Sequence, residues 1–261
     1  MVGFESVLSY SEFRLPIKPR EIRDMKTKDE IRDQVWSVIE QTGAAYTKTV
    51  RDRIPHFKGA ESASLRIFEL GIWRNSRVIK GNPDQPQRPL RQRALEEGKI
   101  LYMAVPRLQK EQCFVELDPS VMASSPVEAS TISGAFQHGR LVNIEEMHQV
   151  DLVISGSVAV NRSGIRIGKG GGFADLEYGL AVAAGIVQHD TPIVGTVHQL
   201  QVLEQELPWT QHDVCLDYFA TPDELVKCSP TKPRPTGIYW EDLSPAKIKQ
   251  IPALKKLRKF L

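Results

Sequence analysis

The sequence predicts an α/β protein, a three-layer α/β/α sandwich built around a mostly parallel sheet. Short apolar runs recur in the second half of the chain, at Asp151 to Val160, Pro192 to Val197 and Val214 to Phe219. An Ala- and Leu-rich segment, Leu176 to Ile186, separates the first two runs. Buried strands that alternate with helices are typical of a parallel sheet covered on both faces. An all-helical fold is disfavoured because each run is short and bounded by turn residues.

Composition describes an ordinary globular protein of 261 residues, long enough for one large domain with appendages. The 34 basic and 32 acidic residues leave a net charge of +2, so bulk charge favours neither nucleic acid nor a membrane as a partner. The three cysteines show no C-x-x-C spacing, and no apolar run reaches the roughly 18 residues of a membrane span. We therefore expect a reduced, cytoplasmic protein; no oligomeric state is predicted.

A first helix is predicted directly after an N-terminal arm at residues 1–26. Thr27 and Glu30 have the spacing of a capping box, and Gly43 marks the end of the helix. Lys28 and Arg32, four residues apart, stand together near its first turn, either as a solvated face or as ligand contacts. The apolar stripe of this helix comprises Ile31, Val35, Val38 and Ile39.

Further elements follow in the first half, and a composition change separates the end of the chain. A second helical pattern passes through Leu65, Phe68 and Ile72, and a turn cluster covers residues 81–87. A helix at 89–97 and a strand at 100–105, ended by Pro106, come next. We expect one α/β domain at 1–230 and a basic tail at 231–261. Docking of this tail on the domain is favoured over contact with RNA or acidic lipid, because apolar residues interrupt its charges.

The stretch from Gly164 to Asp175 predicts a phosphate-binding loop that leads into a helix. Backbone N–H groups can converge on phosphate oxygens where no Cβ intrudes, and a helix N-terminus favours an anion at the same place. The spacing excludes both the Walker loop and the dinucleotide-binding loop. The alternative is a flexible glycine turn between a strand and a helix. The glycines available for phosphate contact are Gly168, Gly170, Gly171 and Gly172.

Charged residues near this loop suggest nucleotide chemistry. Arg166 and Lys169 add positive charge for phosphates, and Asp175 offers an oxygen to Mg²⁺. Asp213, which precedes an apolar run, is either a turn cap or part of the same site. His198 is interpreted as a core or rim histidine rather than a catalyst.

Three motifs together resemble the 5-formyltetrahydrofolate cyclo-ligase family, also called methenyltetrahydrofolate synthetases. They are Lys28-Asp-Glu-Ile-Arg32, the glycine loop from Gly164 to Asp175, and the segment from His198 to Asp217 with its His-Asp-Val sequence. Arg53-Ile-Pro-His-Phe-Lys-Gly and the Gly237-Ile-Tyr-Trp of the tail are similar to one branch of this family. Animal members of that branch append an RNA-recognition domain, which we expect this chain to lack.

The resemblance implies an ATP- and Mg²⁺-dependent enzyme that acts on a reduced folate. In the family reaction, ATP phosphorylates the formyl oxygen of 5-formyltetrahydrofolate, N10 closes the ring and phosphate leaves. By resemblance Lys28 and Arg32 contact ATP, with Arg32 also near the folate, and Asp175 and Asp213 hold Mg²⁺. Arg32, Arg166 and Lys169 are the predicted catalytic residues. The residues expected to contact the cofactor are Lys28, Arg32, Arg166, Gly168, Lys169, Gly170, Gly171, Gly172 and Phe173.

The chain also departs from the family pattern at the end of the glycine loop. The enzymes usually read Gly-Tyr-Tyr-Asp where this chain has Gly172-Phe-Ala-Asp175, and Gly171 stands where some have a lysine. The segment Asn82-Pro-Asp84 lies where the enzymes place a glutamate that holds the pterin. Two alternatives to a working cyclo-ligase therefore stay open: a nucleotide- or folate-binding protein without this activity, and an ATP-dependent enzyme that uses another substrate.

Overall fold

A computed structural model describes residues 26–258 of the chain. The predicted N-terminal arm, apart from Lys26, lies outside the described residues, as do the last three residues of the predicted tail.

Two sheets are present in the described residues, one of eight strands and one of two. The strands are β1 (Val78–Gly81), β2 (Ile100–Ala104), β3 (Phe114–Leu117), β4 (Arg140–Val142), β5 (Leu152–Ile154), β6 (Ala159–Val160), β7 (Arg166–Ile167), β8 (Ile193–Thr196), β9 (Tyr218–Ala220) and β10 (Leu225–Lys227).

The large sheet has the order β10-β9-β8-β5-β1-β2-β3-β4. Its five central strands, from β9 to β2, pair in parallel, whereas β10 at one edge and β3 and β4 at the other are antiparallel. Ile79 of β1 lies opposite Leu101 of β2 and Leu152 of β5. The second sheet is an antiparallel pair of β6 and β7.

Nine α-helices lie within the described part of the chain, most of them around the large sheet. They are α1 (Lys28–Thr42), α2 (Ala60–Phe68), α3 (Gly71–Asn75), α4 (Arg88–Glu96), α5 (Pro126–Ala129), α6 (Ile132–His138), α7 (Phe173–Ala183), α8 (Pro245–Gln250) and α9 (Pro252–Arg258).

Helices cover both faces of the sheet. Successive strand residues point to opposite sides, so each face of the sheet carries apolar side chains that pack against helices. Ile79 and Leu101 face one core, which also contains Ile67 of α2 and Leu90 of α4. Their chain neighbours face the opposite way, toward a second core that holds α7 and α9; this core includes Tyr102, Val153, Leu180, Ile251 and Leu254. The predicted three-layer α/β/α sandwich with a mostly parallel sheet is therefore confirmed.

Helix α1 packs against the β6–β7 pair rather than against the large sheet. Thr27 and Glu30 form the predicted capping box, and Gly43 ends the helix in the left-handed conformation. The helix buries Ile31, Val35, Trp36 and Ile39, whereas Val38 is only partly buried. A separate small core of residues from α1, β6 and β7 thus fixes the start of α1 beside the segment that follows β7.

Two predicted elements have different bounds in the structure. The apolar run from Asp151 to Val160 is not one strand, because residues 155–158 separate β5 in the large sheet from β6 in the small one. The run at 214–219 forms a strand only from Tyr218 onward. In both places the same apolar residues are buried, so hydrophobicity alone does not mark where pairing begins.

The predicted second helical pattern is divided between two helices, and one of its three residues faces solvent. Leu65 is 61% exposed, and α2 instead buries Ala60, Ala63, Ser64 and Ile67. Ile72 belongs to the separate helix α3. Strand β1 was not predicted, because four residues that include Lys80 show no clear alternation. No helix among residues 26–258 is long and apolar enough to cross a membrane.

Candidate phosphate-binding site

The glycine loop connects β7 to α7. Gly170 and Gly172 adopt φ angles of 108° and 65°, which side-chain-bearing residues rarely adopt, and Gly172 is the N-cap of α7. No backbone N–H from Gly168 to Gly172 donates a hydrogen bond to another described residue. The first N–H groups of α7 have no partner within the helix either. Several donors at the positive end of a helix dipole therefore suit an anion.

Helix α1 brings two cations to this loop and to the His-Asp turn. The Nε of Arg32 donates to the carbonyl oxygen of Gly168 at 2.7 Å, and its Nη1 pairs with Asp29. One turn earlier, Lys28 Nζ lies 2.6 and 2.5 Å from the two carboxylate oxygens of Asp213. Lys28 and Arg32 are thus both engaged with residues far away in sequence.

Arg166 lies beneath the loop, with its side chain 1% exposed. Its Nη2 is 2.5 Å from Asp175 Oδ1, and its Nη1 donates to the carbonyl oxygen of Gly156 at 3.2 Å. Asp175 Oδ1 also accepts from the N–H of Val214 at 3.1 Å. The Nε of Arg166 is buried and has no hydrogen-bond partner in the described structure. This arginine therefore connects the two ends of the loop from below.

Asp213 is both a turn cap and an ion-pair partner. Its Oδ2 accepts from the N–H of Thr210 at 2.6 Å and from the Thr210 hydroxyl at 2.8 Å. Together with Lys28, these donors engage both carboxylate oxygens. The turn-cap role weighed for Asp213 is therefore present in the structure, and its place in the phosphate site stays a prediction.

Asp175 and Asp213 differ in how well they could hold a magnesium ion. No group of three or more His, Cys, Asp or Glu side chains in residues 26–258 could hold a metal by itself. Mg²⁺ usually binds one or two carboxylates together with substrate phosphates and waters, so such a group is not required. Asp175 Oδ2 accepts no hydrogen bond from the described residues, whereas Asp213 would have to share its oxygens with Lys28. Asp175 thus fits a magnesium ion better than Asp213 does.

A cleft of about 600 Å³ opens beside the loop. On the loop side it is lined by Lys169, Gly171, Phe173 and Ala174. On the other side lie Asn82, Pro83, Asp84 and Gln85, after the end of β1; Lys169 Nζ spans the two sides to Asp84 Oδ1 at 2.9 Å.

A buried polar group that was not predicted forms part of the cleft wall. Glu177 of α7 accepts from Lys80 Nζ at 2.9 Å and from Asn82 Nδ2 at 3.1 Å. Asn82 Oδ1 in turn accepts from the N–H of Gly156 at 3.1 Å. A charged residue within the short strand β1 was the available signal for this group.

Arg53 and His56 also line the cleft. They belong to the segment that resembles one branch of the family, and the sequence predicts no role for them. Burial lowers the pKa of His56. His198, by contrast, caps a turn: its Nδ1 accepts from the N–H of Leu200 at 3.2 Å, and burial lowers its pKa. His198 thus has a hydrogen-bond partner within its own turn and does not line the cleft.

Lys247 of α8 is a further cation at the loop that was not predicted individually. Its Nζ donates to the carbonyl oxygen of Gly171 at 3.1 Å and lies 5.1 Å from the centre of the Phe173 ring. The basic composition of the tail was the only signal for it in the sequence.

A family model and several known proteins are similar to this chain in sequence. The model of the 5-formyltetrahydrofolate cyclo-ligase family matches residues 24–222. Methenyltetrahydrofolate synthase domain-containing proteins of Bos taurus, Mus musculus and Homo sapiens are 37%, 37% and 35% identical over 89%, 91% and 89% of this chain. The chain spans 62%, 65% and 61% of the length of these three relatives.

Two solved structures are similar at much lower identity. The Aquifex aeolicus 5,10-methenyltetrahydrofolate synthetase aligns with a TM-score of 0.49 and 19% identity, over 77% of this chain and 92% of that protein. The Mycoplasma pneumoniae 5,10-methenyltetrahydrofolate synthetase aligns with a TM-score of 0.42 and 12% identity, over 75% of this chain and 98% of that protein. The family model covers most of the chain, and the sequence relatives confirm the predicted branch. The chain belongs to the 5-formyltetrahydrofolate cyclo-ligase family.

Proposed function

We propose that this protein is an ATP- and Mg²⁺-dependent 5-formyltetrahydrofolate cyclo-ligase. One observation supports the proposal above all: the glycine loop offers N–H groups without partners in the described structure, at the N-terminus of α7 and next to Arg32. A family member with such a loop has the donors that a triphosphate requires.

Phosphoryl transfer depends on positioning and on neutralising negative charge, so no protein nucleophile is needed. In this proposal the N–H groups from Gly168 to Gly172 bind phosphate oxygens. Arg32 and Lys169 supply positive charge at the loop, Lys28 adds a cation at the His-Asp turn, and Phe173 forms the adjacent wall of the cleft. Arg166 acts from beneath the loop by fixing Asp175, which is a positioning role.

Asp175 would hold Mg²⁺. Asp213 would be a second ligand, with its carboxylate oxygens contacting both the ion and Lys28. When bound, this ion would neutralise charge on the phosphates during transfer. Asp175 is held in place by Arg166 and by the N–H of Val214, both on Oδ1, which leaves Oδ2 for the ion.

The reduced folate would occupy the cleft between the loop and the segment after β1. The formyl oxygen attacks the terminal phosphorus and ADP leaves; N10 then attacks the formyl carbon, and that oxygen departs as part of inorganic phosphate. Asn82, Asp84 and Gln85 supply amide and carboxylate groups that suit the hydrogen-bond donors and acceptors of a pterin. Lys169, which spans the cleft to Asp84, would lie between the two substrates.

The direct test is an absorbance assay. Purified protein with ATP, Mg²⁺ and 5-formyltetrahydrofolate is expected to form 5,10-methenyltetrahydrofolate with release of equal amounts of ADP. Arg32→Met is expected to abolish most of this activity. Arg74→Met is expected to retain it, because Arg74 hydrogen-bonds only the Glu69 carbonyl oxygen among the described residues. A flat absorbance trace at high protein concentration would contradict the proposal.

A second candidate rests on Ala174, which lines the cleft where the enzymes usually have a tyrosine. The loss of that phenol favours either a binding protein without turnover or an ATP-dependent enzyme for another substrate. Loss of an oriented hydrogen-bond donor costs about 100-fold to 1,000-fold in rate where it acts in the transition state. Ala174→Tyr discriminates a drifted cyclo-ligase from an enzyme for another substrate: a large gain in ring closure indicates the first, and retained ATP binding without such a gain favours the second.

A further inference from the structure

The C-terminal segment contacts the glycine loop through one side chain. Lys247 Nζ donates to the Gly171 carbonyl oxygen at 3.1 Å and lies 3.3 Å from the position that a Cβ on Gly172 would take. Lys247 forms no ion pair with a described carboxylate; its neighbours at the loop are a carbonyl oxygen and the ring of Phe173. Its charge is therefore added to the loop without being neutralised there.

A second cation holds the other end of the same loop. Arg32 Nε donates to the Gly168 carbonyl oxygen at 2.7 Å. The peptide bonds of the described residues are trans, and in a trans peptide the C=O and N–H point in opposite directions. Because Arg32 and Lys247 fix two carbonyl groups, they also fix the opposed N–H groups of Lys169 and Gly172, which point away from the two cations.

Several contacts anchor the segment that carries Lys247. His212 Nδ1 lies 2.7 Å from Asp242 Oδ2, and Gln211 Nε2 donates to Glu241 Oε1 at 3.3 Å. Further along, Ile251 and Leu254 are buried in the core that α7 shares with the sheet. Lys247 is thus held between two attachments, one at the His-Asp turn and one in the core.

We propose that Lys247 is a positioning residue for the phosphate loop. Through this residue, the C-terminal segment contributes to anion binding at the loop. The inference rests on the proposed function, since it assumes that the loop binds the polyphosphate of ATP. Lys247 and Arg32, from opposite ends of the described chain, would hold the loop carbonyls so that the N–H groups stay aimed at the phosphates before ATP arrives. Pre-aligned donors bind more tightly because less ordering is needed on binding.

Titration calorimetry with Mg²⁺-ATP tests this role in the full chain, with Lys247→Met, Lys247→Arg and the matched control Lys249→Met on the exposed part of the same helix. Loss of one charge-assisted hydrogen bond is expected to raise the Kd of Lys247→Met about tenfold at unchanged stoichiometry. Lys247→Arg is expected to stay within about threefold of the wild type, because it keeps the donor, and Lys249→Met to match the wild type.

Three results would overturn the inference. An unchanged Kd in Lys247→Met shows that the loop does not depend on this contact. A lower stoichiometry at unchanged Kd shows that Lys247 merely stabilises the fold, because a partly unfolded sample loses sites and not affinity. Absence of ATP binding by the wild type overturns both this inference and the proposed function. If ATP binds with the predicted Lys247 effect but no folate is converted, only the folate reaction fails.

Discussion

Arg166 and Asp175 join the two ends of the glycine loop through an ion pair of 2.5 Å. Arg166 belongs to β7, before the loop, and Asp175 to the first turn of α7, after it. Their side chains are 1% and 15% exposed, so the pair is largely removed from water. A buried pair of this kind fixes where the loop starts and where it ends.

Asp175→Asn is expected to destabilise the protein by about 3 to 5 kcal/mol, because it leaves the guanidinium of Arg166 buried without a compensating charge. Urea denaturation followed by circular dichroism measures the change in the free energy of unfolding. Asp29→Asn is the matched control, since Asp29 pairs with Arg32 on the surface and such pairs contribute about 1 kcal/mol or less. Equal effects of the two substitutions would refute the structural role of the Arg166–Asp175 pair.

Gly170→Ala is expected to weaken ATP binding as well as stability, because its φ of 108° costs an alanine about 1 to 3 kcal/mol and the loop must shift to relieve it. A Cβ at this position meets no atom closer than 3.7 Å, so the effect comes from the backbone. Calorimetry gives the affinity and thermal unfolding gives the stability.

Gly185→Ala serves as the control for that substitution. Gly185 also has a positive φ, of 72°, and no atom within 4 Å of its added Cβ, but it follows α7 at the end away from the loop. The Gly185→Ala substitution is expected to lower stability and to leave ATP affinity unchanged. An equal loss of ATP affinity in both variants would show that strain acts through the whole fold and not through the loop.

Lys28→Met is expected to raise the Kd for Mg²⁺-ATP about tenfold, through loss of a cation at the site and of the hydrogen bonds that hold Asp213. Lys26→Met is the matched control, because Lys26 lies two residues earlier and contacts only Gln34 among the described residues. The same calorimetric titration compares them. The role assigned to Lys28 is wrong if both variants bind ATP equally well.

The three cysteines are expected to resist thiol reagents in the native protein. Burial raises the pKa of Cys215 to about 11 and that of Cys113 and Cys228 to about 12. The folded thiols therefore stay protonated at pH values where exposed cysteines ionise. Because these folded pKa values lie above the unfolded value of about 8.5, their contribution to stability is full below that pH and declines as pH rises above it.

Reaction with a chromogenic disulfide reagent at about pH 8, with and without denaturant, checks this prediction. Release of three equivalents only after unfolding is the expected result. Rapid release from the native protein would contradict the assigned burial, and an unfolding free energy that increases from about pH 8 to pH 10 would contradict the sign of the pH dependence.

Local sequence was enough to predict those structural elements whose contacts lie within a few residues along the chain. The capping box of Thr27 and Glu30, the stop at Gly43 and the glycine loop before α7 are all satisfied within a few residues, so spacing alone predicts them. The helical period did not identify the buried face of α2, because Leu65 fits that period but faces solvent. Which side of a helix is covered depends on what packs there, and in α2 small residues permit close contact instead.

By itself, the sequence determined the fold class and the position of the glycine loop, because buried apolar runs and glycine spacing follow from burial and backbone geometry. The family came from the resemblance of three motifs. Only the tertiary structure decided which charges act together. It placed Arg166 beneath the loop opposite Asp175, joined Lys28 to Asp213, and brought Lys247 from the far end of the chain to Gly171. The physical reason is distance along the chain: a side chain's partner is set by where packing places other elements, and no local pattern records contacts between residues 76 or 185 positions apart.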